Sequence, residues 1–313
     1  GSNDTGGKGH TLIGFYFQSI RRYVRPMKTM EQAKIEIESQ QSKYGKVNSL
    51  MQYINKETLR VEHVKQPKGK ASGVDGVNKE MYEEHLDENL DKLIERMKTF
   101  SYRPLPVRRT YIPKGNGKMR PLGIPTYEDK IAQGAFRKIL DFVYEPLFCD
   151  FSYGFREGKD CQQAILEINH HIMFDKVNYV VDADIKGFFD NIDHNWLIKF
   201  LEHDIADKNF IRYIKRFLIG GVMEDGKKLE SDKGTPQGGL ISPVLANTYL
   251  HYVLDTWFIW LKKNNIIKGE CYLVRYADDF VVLFQYEDQA NKFYSMLKDR
   301  MAKFGLELEE SKS

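Results

Sequence analysis

Asp278 and Asp279 stand side by side between two apolar runs, in the stretch CYLVRYADDFVVLF over residues 271–284. Runs rich in Val, Tyr and Phe, broken by a short polar step, predict a β-hairpin with Ala277, Asp278 and Asp279 at its tip. Two carboxylates in one tight turn repel each other by roughly 4 kcal/mol for unit charges 4 Å apart at an effective dielectric of 20. The turn therefore calls for a cation. A hard divalent ion such as Mg²⁺ takes oxygen ligands and uses only one or two carboxylates while it reaches substrate phosphates. Solvated turn residues are the commoner use of Asp, so the chemistry depends on what else the chain brings to this turn.

A second acidic stretch, NYVVDADIKGFFDNIDH over residues 178–194, follows an apolar strand pattern. Asp182 and Asp184 lie two apart and share one face of that strand. On what reads as a buried strand they need a partner, and a metal ion shared with Asp278 and Asp279 would supply it. Asp182 and Asp184 compete for that role, whereas Asp193 has the place of an N-cap for the helix of Trp196, Leu197, Phe200 and Leu201. The loop GTPQGGLISPVLANTYL has so little side-chain bulk that another backbone can come close, and its Ser242-Pro243 pair starts a helix.

Phosphate-binding chemistry is concentrated earlier. Residues 101–120, SYRPLPVRRTYIPKGNGKMR, hold six basic side chains and no acid: Arg103, Arg108, Arg109, Lys114, Lys118 and Arg120, interleaved with Tyr102 and Tyr111. Three prolines preclude a continuous helix, and strands around the Gly115–Gly117 turn would bring Lys114, Lys118 and Arg120 together. The glycine-rich loop PKGKASGVDG adds Lys68 and Lys70.

The rest is scaffolding. Helices are expected over residues 31–41, 50–59, 81–97, 128–148, 210–219 and 290–304, and Asp160 with Gln163 forms a capping box before the helix of Ala164, Ile165, Ile168 and Ile172. Asp225-Gly226 marks a hairpin. The chain has 313 residues, 42% of them hydrophobic, enough for one large or two ordinary domains. No apolar run approaches the ~18 residues of a membrane span. Cys149, Cys161 and Cys271 are odd in number and lack ligand spacing, which suits reduced thiols in a cytosolic setting. Residues 1–120 carry 23 Lys and Arg against 14 Asp and Glu, and the remainder 24 against 30. One region attracts polyanions and another holds carboxylates. Residues 11–28 read as a basic, aromatic arm, and the chain stops just after a strand expected to begin at Leu306.

In order, YIPKGNGKMRPLGIPT, FSYGFREGKDCQQA, DADIKGFFDNIDH, GTPQGGLISPVLANTYL and RYADDFVVL, with GLELEESK opening a further block, resemble the reverse transcriptases encoded by group II introns, also called maturases. ASGVDGV through RRTYIPK resembles the extension that precedes the first shared block. The resemblance runs from about residue 48 to 312 and implies an α+β fold, the fingers and palm of a right-hand polymerase. The palm sheet would be antiparallel and flanked by helices, with the thumb beyond this stretch. It implies an arm and helical extension over residues 1–47, fingers over 48–175 and palm over 176–313, with 205–235 returning to the fingers.

Residue by residue, the resemblance makes Asp184, Asp278 and Asp279 the ligands of two Mg²⁺ ions, with Mn²⁺ as a substitute. Phe188 becomes the gate against a ribose 2′-hydroxyl, Lys114 and Arg120 the grip on the incoming dNTP, and Gln237 a support for the nascent base pair. The implied partners are group II intron RNA, an RNA template, a DNA primer and dNTPs, in a bacterial cytoplasm and without a membrane. A homodimer is a further expectation, through apolar surface that a thumb would cover. The competing expectation is a non-catalytic RNA-binding module that assists splicing. A viral RNA-dependent RNA polymerase fits less well, because Ala277 precedes the Asp pair and Phe188 is bulky. Retron and diversity-generating reverse transcriptases are nearer rivals, and residues 59–112 with RPLGIPT favour the intron lineage.

Overall fold

The computed structural model describes residues 27–309, apart from 114–116, 118, 230–232 and 236–237. The helices in the first part are α1 (Met30–Tyr44), α2 (Lys56–Lys65), α3 (Lys79–Glu83) and α4 (Leu86–Lys98). Strands β1 (Val107–Pro113) and β2 (Met119–Ile124) follow, then α5 (Tyr127–Tyr144) and α6 (Cys161–Phe174). Next come β3 (Tyr179–Ala183), α7 (Phe188–Asn191), α8 (His194–Asp204), α9 (Lys208–Ile219), β4 (Val222–Glu224) and β5 (Lys227–Leu229). The chain continues through α10 (Ser242–Leu250), a π-helical turn His251–Asp255, α11 (Thr256–Lys263), β6 (Cys271–Tyr276), β7 (Asp279–Phe284) and α12 (Glu287–Lys303).

Polar side chains start most of these helices by accepting from otherwise unpaired N–H groups. Thr29, Asn55 and Asp160 each form a full capping box, and Asp193 accepts from the Trp196 N–H as its N-cap place requires. The expected helix over 81–97 is two helices with a break at Glu84 and His85, and the one over 50–59 is a short 3₁₀ turn followed by α2. Ser242 is the first helical residue of α10, one place inside its expected cap, with Ile241 in that position.

Two sheets result, one basic and one acidic. The basic sheet has the order β2-β1-β4-β5, with β1 antiparallel to β2 and parallel to β4. Its β4–β5 hairpin turns at Asp225 and Gly226, both at positive φ (48° and 74°), the conformation that favours an Asp-Gly pair. Residues 222–229 therefore return to the sheet of residues 107–124. The acidic sheet is antiparallel in the order β3-β7-β6.

Alternation along the acidic sheet sorts its two faces. Leu273, Phe280, Val282 and Phe284 join the main core with α10, α11 and α12, while Val274 and Val281 meet Tyr153, Ala164 and Ile168 from the other side. Helix α5 joins the two sheets' supporting helices: Ile131, Phe136, Ile139 and Val143 are fully buried, and Phe136 stacks on Phe210 at 4.8 Å between centroids. Each such ring removed from water contributes roughly 1.5–3 kcal/mol.

Two expectations are corrected here. Strand β3 is an edge strand, not a buried one, with Val180 57% exposed and Asp182 on the open side. Helix α6 buries Ala164 but leaves Ile165 and Ile172 exposed, because it packs only over the β6 side of the sheet. No helix among the described residues is long and apolar enough to cross a membrane.

Candidate active site

Strand register brings the acids together. Tyr179 pairs with Phe284 and each later residue of β3 with an earlier one of β7, up to Ala183 with Phe280. The next residue of each, Asp184 and Asp279, are therefore neighbours at one end of the sheet. Tyr276 pairs with Asp279 across β6 and β7, which leaves Ala277 and Asp278 as a two-residue turn. The half-buried Asp278 carboxyl is held above its ordinary value, first by burial and then by the charges of Asp279 and Asp184, with Arg120 acting in the opposite sense. Three carboxylates thus share one field, and a cation from the basic sheet reaches into it. Asp182 shares their face but sits opposite Val281, two residues further from the turn, so geometry favours Asp184 over its competitor.

Oxygen donors without nitrogen or sulfur suit Mg²⁺ or Mn²⁺. A divalent ion would also relieve the mutual repulsion that raises Asp278. Among the described residues, the group with three candidate ligand atoms within 4.8 Å of one another is a different one: Cys149, His251 and Asp255. There burial pushes the Cys149 thiol up to about 12, and both Asp255 oxygens already accept from Arg275. That group is a protonated thiol beside a satisfied ion pair.

The catalytic-turn candidate is tightly supported. Ala277 has φ +58°, and a Cβ on Gly154 would come within 2.3 Å of the Ala277 nitrogen, so the aromatic loop 151–156 can pass the turn only with glycine there. The Tyr153 N–H donates to the Arg275 carbonyl at 2.8 Å and the Arg275 N–H to the Phe151 carbonyl at 2.9 Å. Arg156 is buried and donates to Glu145 and to the carbonyls of Cys149 and Ser152, which makes it the loop's anchor. The glycine loop behaves as its composition suggests: at Gly238 (φ +102°) a Cβ would lie 2.6 Å from the Gly123 carbonyl of β2. This approach ties the loop before α10 to the basic sheet.

The other predicted contacts separate into groups. Arg120 is exposed and close enough to act on Asp278; Lys114, Lys118 and Gln237 lie outside the described residues. Lys68 and Lys70 are exposed in the loop before α3. Arg108 donates from Nε and Nη2 to the Ser72 carbonyl, at 3.0 and 2.8 Å, and so pins that loop to β1. Arg109 lies 3.9 Å from Glu224, and Arg103 donates to the Phe100 and Tyr102 carbonyls. These three arginines have structural tasks that their sequence context did not show.

Phe188 is 2% exposed and packs edge-on to Phe189 and against Tyr249, inside the main core. The ring thus faces the core, whereas the expected role needs it to face a sugar. Phe189 is half-buried and edge-on to Phe155, whose loop touches the 277–278 turn. The sequence signal for this choice was weak, because two adjacent Phe residues differ only in direction.

A family model described as reverse transcriptase (RNA-dependent DNA polymerase) matches residues 112–313. The group II intron-encoded protein LtrA of Lactococcus lactis is 43% identical over 194 residues, covering 62% of this chain and 32% of that protein. Protein YkfC of Escherichia coli is 33% identical, covering 67% of this chain and 62% of that one. The chain thus spans about a third of LtrA. Among solved structures, telomerase from Candida albicans superposes with a TM-score of 0.54 at 13% identity, over 75% of this chain and 46% of that one, which shows a shared fold. The basic sheet with its helices and the acidic sheet with its helices are fingers and palm, and the chain belongs to the reverse transcriptase family, in the group II intron-encoded lineage.

Proposed function

We propose that this chain carries the nucleotidyl-transfer site of an RNA-directed DNA polymerase that also binds its intron RNA. The observation that carries this reading is the convergence of Asp184, Asp278 and Asp279 at the end of the palm sheet, within the field of Arg120. The three carboxylates would hold two divalent ions, which when bound activate a primer 3′-hydroxyl and neutralise charge on the leaving pyrophosphate. Arg120 would pair with the phosphates of the incoming dNTP as a charge-assisted donor. Glycines 154 and 238 let the aromatic loop and the loop before α10 approach closely enough to frame a base pair. The likeness to LtrA supports a bacterial cytoplasm as the setting.

The test is extension of a DNA primer on an RNA template by the full-length protein that carries this chain. Extension should require dNTPs and either Mg²⁺ or Mn²⁺ and should stop when EDTA is added. Absence of extension at any concentration of either ion would remove the enzyme reading and leave an RNA-binding module.

RNA binding is assigned to the exposed lysines rather than to the arginines engaged in the fold. Replacing Lys68 and Lys70 by Gln should weaken binding to the intron RNA and lower the slope of log K against log salt. The expected reduction is about 0.7–0.9 for each phosphate that is no longer neutralised. Filter binding across a salt series reads this, and an unchanged slope would move the RNA to another surface.

A further inference from the structure

Arg275 is the penultimate residue of β6 and has 0% exposure. Its Nε donates to Asp255 Oδ1 at 2.8 Å and its Nη2 to Oδ2 at 2.5 Å, a two-pronged pair between two residues with no solvent contact. A buried ion pair is a poor source of stability, since apolar side chains of similar bulk commonly serve as well. The remaining nitrogen indicates its use. Nη1 donates to the Ala277 carbonyl at 2.8 Å and to Asn247 Oδ1 at 3.0 Å.

Ala277 immediately precedes Asp278, and its φ of +58° is a conformation that costs an L-residue roughly 1–2 kcal/mol. The peptide joining the two residues therefore has to be held. Its carbonyl is fixed by Arg275, and its N–H turns toward the Asp278 carboxylate. Asn247 extends the support: its Nδ2 donates at 2.7 Å to the carbonyl of Gly154, the residue that abuts Ala277. Asp255 is aimed inward by the π-helical turn, where the Thr256 N–H bonds to the His251 carbonyl five residues back. Such turns inside α-helices are frequent at functional sites.

We propose that Arg275, held by Asp255, is a positioning residue that sets the Ala277–Asp278 peptide and thereby directs the Asp278 carboxylate toward a divalent cation. The inference rests on the reading of Asp278 as a metal ligand. Lys at position 275 keeps the charge but offers one nitrogen, which cannot serve both Asp255 and the Ala277 carbonyl in the fork's geometry.

Mn²⁺ titration of the whole chain, followed by electron paramagnetic resonance, reads the effect without requiring polymerase activity. Arg275→Lys should retain a cooperative melt and bind Mn²⁺ about 10- to 100-fold more weakly, the usual consequence of losing a residue that orients a ligand. Affinity equal to the parent's overturns the proposal. If the Lys variant does not fold, the double variant Arg275→Met with Asp255→Leu replaces the pair by apolar bulk and is read the same way. If neither folds, Arg275 serves the fold and not the turn, and the proposal is overturned. Asp278→Asn is the control: unchanged Mn²⁺ binding there defeats the metal-site reading itself, whereas loss there with none in Arg275→Lys defeats only the positioning role.

Discussion

Asp278→Asn is expected to lower nucleotide incorporation by at least about 10³-fold, the upper end of what losing one charge-stabilising group costs an active site, while intron RNA binding stays within about twofold of the parent, as for a phosphate-binding surface that is left intact. Asn keeps the size and shape of the side chain, so the change removes charge and little else. Asp278 is half-buried and feels the charges of both other acids, so a bound cation would offset both burial and repulsion there.

The same substitution should leave the protein's melting temperature in EDTA at or above the parent's. The sign follows from linkage. A carboxyl held above its ordinary value in the folded state binds more protons there than in the unfolded chain. Its ionisation therefore lowers stability as pH rises from the ordinary carboxyl value through the raised folded-state value, and the penalty is complete above the latter. Asn removes it. Loss of activity together with equal or greater stability would mark a site that gives up stability for charge. A clear fall in melting temperature would instead assign Asp278 to holding the turn together, and undiminished incorporation would exclude it from the chemistry.

The hairpin and its acids were legible in the sequence because a two-residue polar step between Val-, Tyr- and Phe-rich runs has few other solutions. Caps at Asp160 and Asp193 were legible for a similar reason: each is a local interaction, settled within four residues. What the sequence hid was long-range. Arg108 looks like part of a basic run, yet its partner is a carbonyl 36 residues away. Arg275 sits where strand alternation predicts only an inward side chain, and Asp255, 20 residues earlier, makes a buried cation possible there. Strand β3 has the composition of a buried strand, but its place at the sheet edge depends on which strands pair. Periodicity identifies a face without saying what covers it, which is why α6 keeps Ile165 and Ile172 exposed.

Phe188→Ala and Phe189→Ala should separate packing from sugar selection. After Gly187, at φ +54°, the chain enters the single turn of α7, where successive side chains diverge by about 100°. Phe188 consequently turns into the core against Tyr249, and Phe189 turns toward Phe155 beside the Asp278 turn. Truncating Phe188 should cost about 3–5 kcal/mol of stability, the range for emptying a buried aromatic site, and leave the ratio of dNTP to rNTP incorporation unchanged in the protein that still folds. Truncating Phe189 should cost less, within about 0.5–3 kcal/mol. It should lower discrimination against rNTPs by at least about 10-fold, the scale on which a shaped apolar wall separates substrates that differ by one small group. Urea unfolding and competitive single-nucleotide incorporation measure the two effects separately. Relaxed sugar selection in Phe188→Ala, with none in Phe189→Ala, would return the gate to the first phenylalanine and require that ring to leave the core when nucleotide binds.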